Sequence, residues 1–114
     1  MTKIFFLKKE QIKYLIGKAN GYCYATDEIM VKGKKVSYMY REKPSRHDDS
    51  GWVFTAGTES PEYMDNSENT GIYALNTLAN YDPEIIPFLD SPFGSAFERE
   101  KGTGKFKKVP LITS

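Results

Sequence analysis

Asp48-Asp49-Ser50-Gly51-Trp52-Val53-Phe54-Thr55-Ala56-Gly57 reads as a strand between two breakers. Gly51 to Ala56 alternates, with Trp52, Phe54 and Ala56 on one side, the period of a half-buried strand. Gly57 ends it. Acid flanks it on both sides. From Asp48 to Asp65 the chain holds its only Trp and five carboxylates, with no Lys or Arg. Ser60-Pro61-Glu62 is a helix start, with a capping hydroxyl, a proline at the first position and a carboxylate in the first turn.

Working outward toward the N-terminus, Val36 to Arg41 alternates with Val36, Tyr38 and Tyr40 sharing a face. Gly21 to Thr26 alternates with Tyr22 and Tyr24 opposite Cys23 and Ala25. Both predict strands. Lys32-Gly33-Lys34-Lys35 then predicts a hairpin turn, with Gly33 taking positive φ. Ile12, Leu15 and Ile16 fall at helical spacing, which predicts a short helix from Lys9 to Ile16. Toward the C-terminus, Ile72 to Asn80 predicts an amphipathic helix. Asp82-Pro83-Glu84 opens a second one, which Pro87 shortens or kinks. Gly94 to Glu100 and Lys105 to Val109 predict strands around Gly102-Thr103-Gly104. The short connections predict an α+β fold, a mostly antiparallel sheet of about five strands with short helices packed on one side.

A chain of 114 residues is expected to form a single domain over 1–114, with 1–19 as a lead-in or helix. Aromatic content of 14% argues against disorder. One cysteine, Cys23, excludes an internal disulfide and a cysteine zinc site. No apolar run approaches the roughly 18 residues of a spanning helix, and Met1 to Leu7 lacks the length of a signal h-region. The expected address is the cytoplasm, with no membrane partner. The net charge of +1 conceals a segregation. Residues 1–46 carry +7, residues 47–98 carry −10 with no Lys or Arg, and residues 99–114 carry +4. The blocks either form an acidic and a basic pole or pair across the fold.

No catalytic constellation emerges. His47 beside Asp48 and Asp49 reads as an exposed loop histidine, because sequence neighbours in a polar loop rarely face one another as base and orienter. Cys23, between two tyrosines in a strand, reads as an inert buried thiol. Ser50 lacks the flanking pattern of a hydrolase elbow. Asp65 to Gly71 departs from a calcium loop in its glycine spacing, and Asn76 stands where the bidentate Glu belongs. Gly71-Ile72-Tyr73 matches the first tripeptide of a nuclease family, but no second motif follows. The lysines of 32–35 read as a solvated turn, and no nucleic-acid partner is expected. No metal or other cofactor is expected. The acidic region stands out: Asp48, Asp49, Glu59, Glu62, Asp65 and Glu68, with Trp52 as an aromatic anchor, are the candidate partner-binding residues.

Seven segments carry a resemblance: Asn20-Gly21-Tyr22-Cys23, Gly33-Lys34-Lys35-Val36, Tyr38-Met39-Tyr40-Arg41-Glu42, Asp49-Ser50-Gly51-Trp52, Glu62-Tyr63-Met64-Asp65, Ile72-Tyr73-Ala74-Leu75-Asn76-Thr77 and Gly94-Ser95-Ala96-Phe97-Glu98-Arg99. In this order they resemble a family of small bacterial proteins, first catalogued as a domain of unknown function. The family was later grouped with the immunity-protein domains of polymorphic toxin systems. The resemblance spans roughly residues 20–100, within a family-like core of 20–110. It implies a non-catalytic protein that binds and blocks a toxin, and brings no catalytic residue with it. Tyr40, Arg41, Asp49, Gly51, Trp52, Tyr63, Asp65, Asn76, Phe97, Glu98 and Arg99 match the family pattern. Most of these are expected to be structural, with Arg41 or Arg99 pairing with Asp49 or Asp65. The near-neutral charge departs from the acidity expected of an inhibitor of basic nucleases, so any acidic complementarity is local.

The first expectation is therefore a non-enzymatic, toxin-immunity-type protein-binding domain, either a monomer or a weak homodimer. The alternative is a small-ligand-binding or enzymatic domain that uses carboxylates and tyrosines in a pocket.

Overall fold

The computed structural model describes residues 3–16, 21–44 and 48–111; His47, weighed above as a base, lies outside them. Six strands form one sheet: β1 (Tyr22–Thr26), β2 (Tyr38–Arg41), β3 (Asp49–Thr55), β4 (Thr70–Ala74), β5 (Ala96–Arg99) and β6 (Phe106–Val109). The α-helices among the described residues are short: α1 (Asp27–Met30), α2 (Pro61–Asp65) and α3 (Leu75–Tyr81). Turns of 3-10 helix occupy Lys9–Gln11, Ser67–Asn69 and Pro83–Phe88. The fold is α+β, and the strand order is β4-β1-β3-β2-β5-β6.

Strand β3 takes its central place because its residues serve two neighbours. It pairs antiparallel with β2, Met39 opposite Phe54, and parallel with β1, Ala25 opposite Phe54. The remaining neighbours pair antiparallel, so the sheet is mixed but mostly antiparallel. The β1–β3 register is irregular: Tyr22 pairs with Asp49 but Tyr24 pairs with Val53, which leaves extra residues bulged on β3. Gly51 makes that bulge possible with φ of +87°. A Cβ there would collide with the Glu42 carbonyl oxygen. Asp49 Oδ1 accepts from the Gly51 N–H at 2.8 Å and steadies the bend.

The core fills one face. Cys23, Ala25, Met39, Trp52, Phe54 and Phe97 point from the sheet toward Ile29 and Met30 of α1, Leu75 and Leu78 of α3, and Ile85 and Leu89 beyond it. Trp52 is fully enclosed, and its Nε1 donates to the Leu89 carbonyl at 3.1 Å. α1, α3 and the 3-10 segment Pro83–Phe88 thus pack on one side of the sheet, while α2 buries none of its residues. Ser60 caps α2, accepting from the Tyr63 N–H, with Pro61 as its first residue. Asp82 likewise accepts from the Glu84 N–H, and Pro87 sits in a 3-10 segment rather than an α-helix.

Three expectations change. The lysine turn is no hairpin tip, because β1 and β2 are not neighbours. Glu28 to Met30 instead wind into α1, burying Ile29 and Met30, and Gly33 (φ +78°) ends that helix by donating to the Ile29 carbonyl. Second, Ile72 belongs to a sixth strand. Gly71-Ile72-Tyr73 pairs with Ala25-Tyr24-Cys23, and the helix starts only at Leu75. Third, Lys9 to Ile16 is one 3-10 turn followed by an extended strap. Side-chain amides on α3 hold the strap by its backbone. The Lys13 N–H donates to Asn80 Oδ1, the Lys13 carbonyl accepts from Asn76 and Asn80, and the Leu15 and Ile16 N–H groups donate to Asn76 Oδ1. These bonds take the place of a helical ladder.

Candidate protein-binding surface

Alternation along the strands sends a second set of side chains to the face that the helices leave uncovered. Cross-strand register assembles them into one row spanning all six strands: Ile72, Tyr24, Val53, Tyr40, Ala96 and Val109. At roughly 4.8 Å per strand, the row is about 24 Å wide. Tyr22 adjoins it opposite Asp49, and Tyr38 opposite Thr55 and Glu98. The Tyr38 and Tyr40 rings stand 5.5 Å apart. Ile72 is 53% exposed, Tyr22 49% and Tyr24 37%. Partial burial, with Glu98 beside Tyr38 and Glu42 beside Tyr40, raises the pKa of both phenols.

The acidic candidates fall into two groups at opposite ends of β1. Asp48 and Asp49 line a cleft of about 40 Å³ with Tyr22, Cys23, Tyr24 and Ile72. Burial, with Asp49 nearby, pushes the Cys23 thiol well up. At the other end, about 13 Å along the strand, Glu59 accepts from Thr26 Oγ1 and from the backbone N–H groups of Ala56 and Gly57. That carboxylate knits β1 to the turn after β3. Glu62, Asp65 and Glu68 are exposed on and after α2. Asn66 caps the 3-10 turn Ser67–Asn69 in the stretch that resembles a calcium loop. Among the described residues no group of three or more His, Cys, Asp and Glu side chains could hold a metal ion.

Trp52 is absent from either surface. Its complete enclosure leaves nothing for a partner to touch, so of its two expected roles the packing supports the structural one. Phe97 packs beside it in the core. Arg41 and Arg99 do not pair with Asp49 or Asp65. Arg41 donates to the carbonyls of Ser50 and Ser91, with its guanidinium 4.6 Å from the centre of the Phe93 ring. Arg99 pairs with Asp82 and Glu84, each at 2.7–2.8 Å, and lies over Phe106. Tyr63 is half-buried, and its carbonyl accepts from Asn69 Nδ2. Gly51 shapes the bulge, Asn76 holds the strap, and Tyr40 and Glu98 lie on the open face.

Ion pairs between the acidic and basic blocks are few among the described residues. Of the ten carboxylates in 47–98, only Asp82 and Glu84 enter ion pairs among the described residues, both with Arg99. The other pairs stay within the basic blocks: Lys3 with Asp27, Lys32 and Lys34 with Glu28, and Lys107 with Glu100. Hydrogen bonds from Lys32 and then Lys34 hold the Glu28 carboxyl down at about 2.

A wide recess of about 410 Å³ contains Tyr38, Glu98, Glu100, Arg99, Lys101 and Lys107. It reaches the size expected of a ligand pocket, but Arg99 is already engaged by Asp82, Glu84 and two carbonyls. The open face is hidden in the sequence because Ile72 of β4 fits a helical period with Leu75 and Leu78 of α3. The alternation of Tyr22 with Tyr24 and of Tyr38 with Tyr40 was its visible signal. No helix of the described residues is long and apolar enough to cross a membrane.

The family model for the Immunity protein Imm33 domain matches residues 23–110, which takes in the sheet from the second residue of β1 through β6. No curated protein and no solved structure matches the chain.

Proposed function

The chain belongs to the Imm33 immunity-protein family, and on that premise we propose that it is a non-catalytic protein that binds a toxin and neutralises it. The observation that supports this reading is the set of carboxylates in 47–98 outside the Arg99 cluster, which meet no cation among the described residues. Such charge raises the encounter rate with a basic protein surface. In this reading Asp48, Asp49, Glu59, Glu62, Asp65 and Glu68 set the acidic field. Glu59 contributes to it from a structural position, and Trp52 supports the surface from beneath.

Charge reversal tests the proposal. Asp48 and Glu62 are exposed, so Asp48→Lys and Glu62→Lys leave the fold intact, whereas Asp49 also holds the β3 bulge. A toxin domain co-purified with the chain from its own cells is the ligand, and its binding is followed by stopped flow across a salt series. Either reversal slows association severalfold at low salt and flattens the salt dependence. An unchanged association rate in both variants removes the charge-steered reading.

A further inference from the structure

We infer that the open tyrosine face, centred on Tyr24 and Ile72 at the β4–β1 end, is the surface that seats the toxin, and that the toxin meets it with an apolar centre rimmed by Arg or Lys. This deepens the toxin-binding reading and rests on it. The acidic candidates alone leave two places to dock, at opposite ends of β1. The face decides between them.

Four tyrosines, an isoleucine and two valines on one uncovered sheet face form a continuous apolar strip. Their exposed members concentrate at one end: Ile72, Tyr22 and Tyr24 are the most open, while Ala96 toward the other end is fully covered. Tyrosines give large contact area at small entropic cost and are enriched among residues that dominate binding energy. Carboxylates stand beside this strip. Asp48 and Asp49 share a cleft with Tyr22, Tyr24 and Ile72. Glu42 lies near Tyr40, and Glu98 near Tyr38. The facing cation among the strand residues, Lys107, sits opposite Glu98 at the far β6 side. A basic rim is the complement of that pattern.

The two sheet edges differ in the same sense. The β6 edge carries Lys107 and Lys108, with Lys105 just before it, which repel strand addition. The β4 edge, Thr70-Gly71-Ile72-Tyr73-Ala74, carries no charge. The register that pairs the Leu75 N–H with the Gly21 carbonyl turns the Ile72 N–H and C=O outward. A partner lying over Tyr24 and Ile72 therefore also reaches backbone groups ready to bond. The α2 acids have no comparable apolar surround: Pro61, Glu62, Met64 and Asp65 are exposed on a single short helix.

The test uses the intact chain and a toxin domain co-purified with it from its own cells, with relief of toxin-induced growth arrest on co-expression and Kd as readouts. Variants Tyr24→Ala and Ile72→Ser are compared with Glu62→Lys and Asp65→Lys, each checked for an unchanged thermal melt. Ile72→Ser keeps the falsification open if Tyr24→Ala fails to fold. The expected result is a loss of affinity of about tenfold or more for each face variant, with growth protection lost when the two are combined. If the face variants bind as the parent does while the α2 reversals lose binding, the face assignment is overturned and toxin binding stands. If the parent chain itself neither binds nor protects, the toxin reading fails and takes this inference with it.

Discussion

Arg99 and Asp82 bracket the backbone of Val36. Asp82 Oδ2 accepts from the Val36 N–H at 3.0 Å, and Arg99 Nε donates to the Val36 carbonyl at 2.9 Å. The two side chains close the clamp with their own contact of 2.7 Å. Asp82 is fully buried, and Val36 enters the core between them. The pair thus fixes the approach to β2 from β5 and from the end of α3 together.

Removing one partner leaves the other uncompensated. Arg99→Met strands a buried carboxylate and is expected to cost about 3–5 kcal/mol, read as a lowered urea midpoint. The double variant Arg99→Met/Asp82→Asn costs less than Arg99→Met alone, because the charge has gone while the amide oxygen still accepts from Val36. A double loss equal to the sum of the single losses contradicts the clamp.

Glu28 gives the fold an acid-sensitive increment. Its carboxyl lies at about 2 against an ordinary 4.5, chiefly through its bonds to Lys32 and Lys34. A carboxylate lowered by folding adds stability that is complete above 4.5 and drains away as pH falls toward 2. Both lysines are substantially exposed, so screening holds the contribution to about 1 kcal/mol. Glu28→Gln is therefore less stable than the parent at pH 7, and the gap narrows between pH 4.5 and 2. A gap independent of pH over that range contradicts this account.

Gly51→Ala attacks the β3 bulge directly. The residue sits at φ +87° with the Glu42 carbonyl where a Cβ must go. Strain and collision together are expected to cost about 2 kcal/mol or more. Denaturant melts measure the loss, and a variant as stable as the parent would show that the bulge relaxes freely.

The strap depends on two amides. Asn76→Ala/Asn80→Ala removes every side-chain acceptor that holds the Lys13, Leu15 and Ile16 N–H groups. Hydrogen exchange at those three amides accelerates at least tenfold, whereas exchange at β3 amides changes little, because local opening does not need global unfolding. Equal acceleration in strap and sheet would show that the strap is part of the cooperative core.

What the sequence revealed follows the strength of local rules. Strands β1, β2 and β3 are legible from alternation, β5 and β6 from the Gly102-Thr103-Gly104 turn between them, and the starts at Ser60-Pro61 and Asp82-Pro83 from capping chemistry. Strand β4 was hidden because Ile72, Leu75, Leu78 and Ala79 satisfy a helical period across what is in fact a strand-to-helix junction. The strap is not legible locally because Asn76 and Asn80 supply its hydrogen bonds from 60 or more residues away. At the candidate surface, the acids were visible as composition, but their division between the two ends of β1 depends on pairing. Trp52 drew attention as the only tryptophan and proved to be enclosed.

The insertion of β3 between β1 and β2 sets a timetable for the emerging chain. When β1 leaves the ribosome it has no strand to pair with, since both its neighbours, β3 and β4, are synthesised later. Strand β2 cannot serve as a substitute. Neither strand of the first half therefore has its β3 partner until the chain through Thr55 has been made. Long-range pairing of this kind slows folding. A chain with this topology completes its sheet only after most of its length has been made.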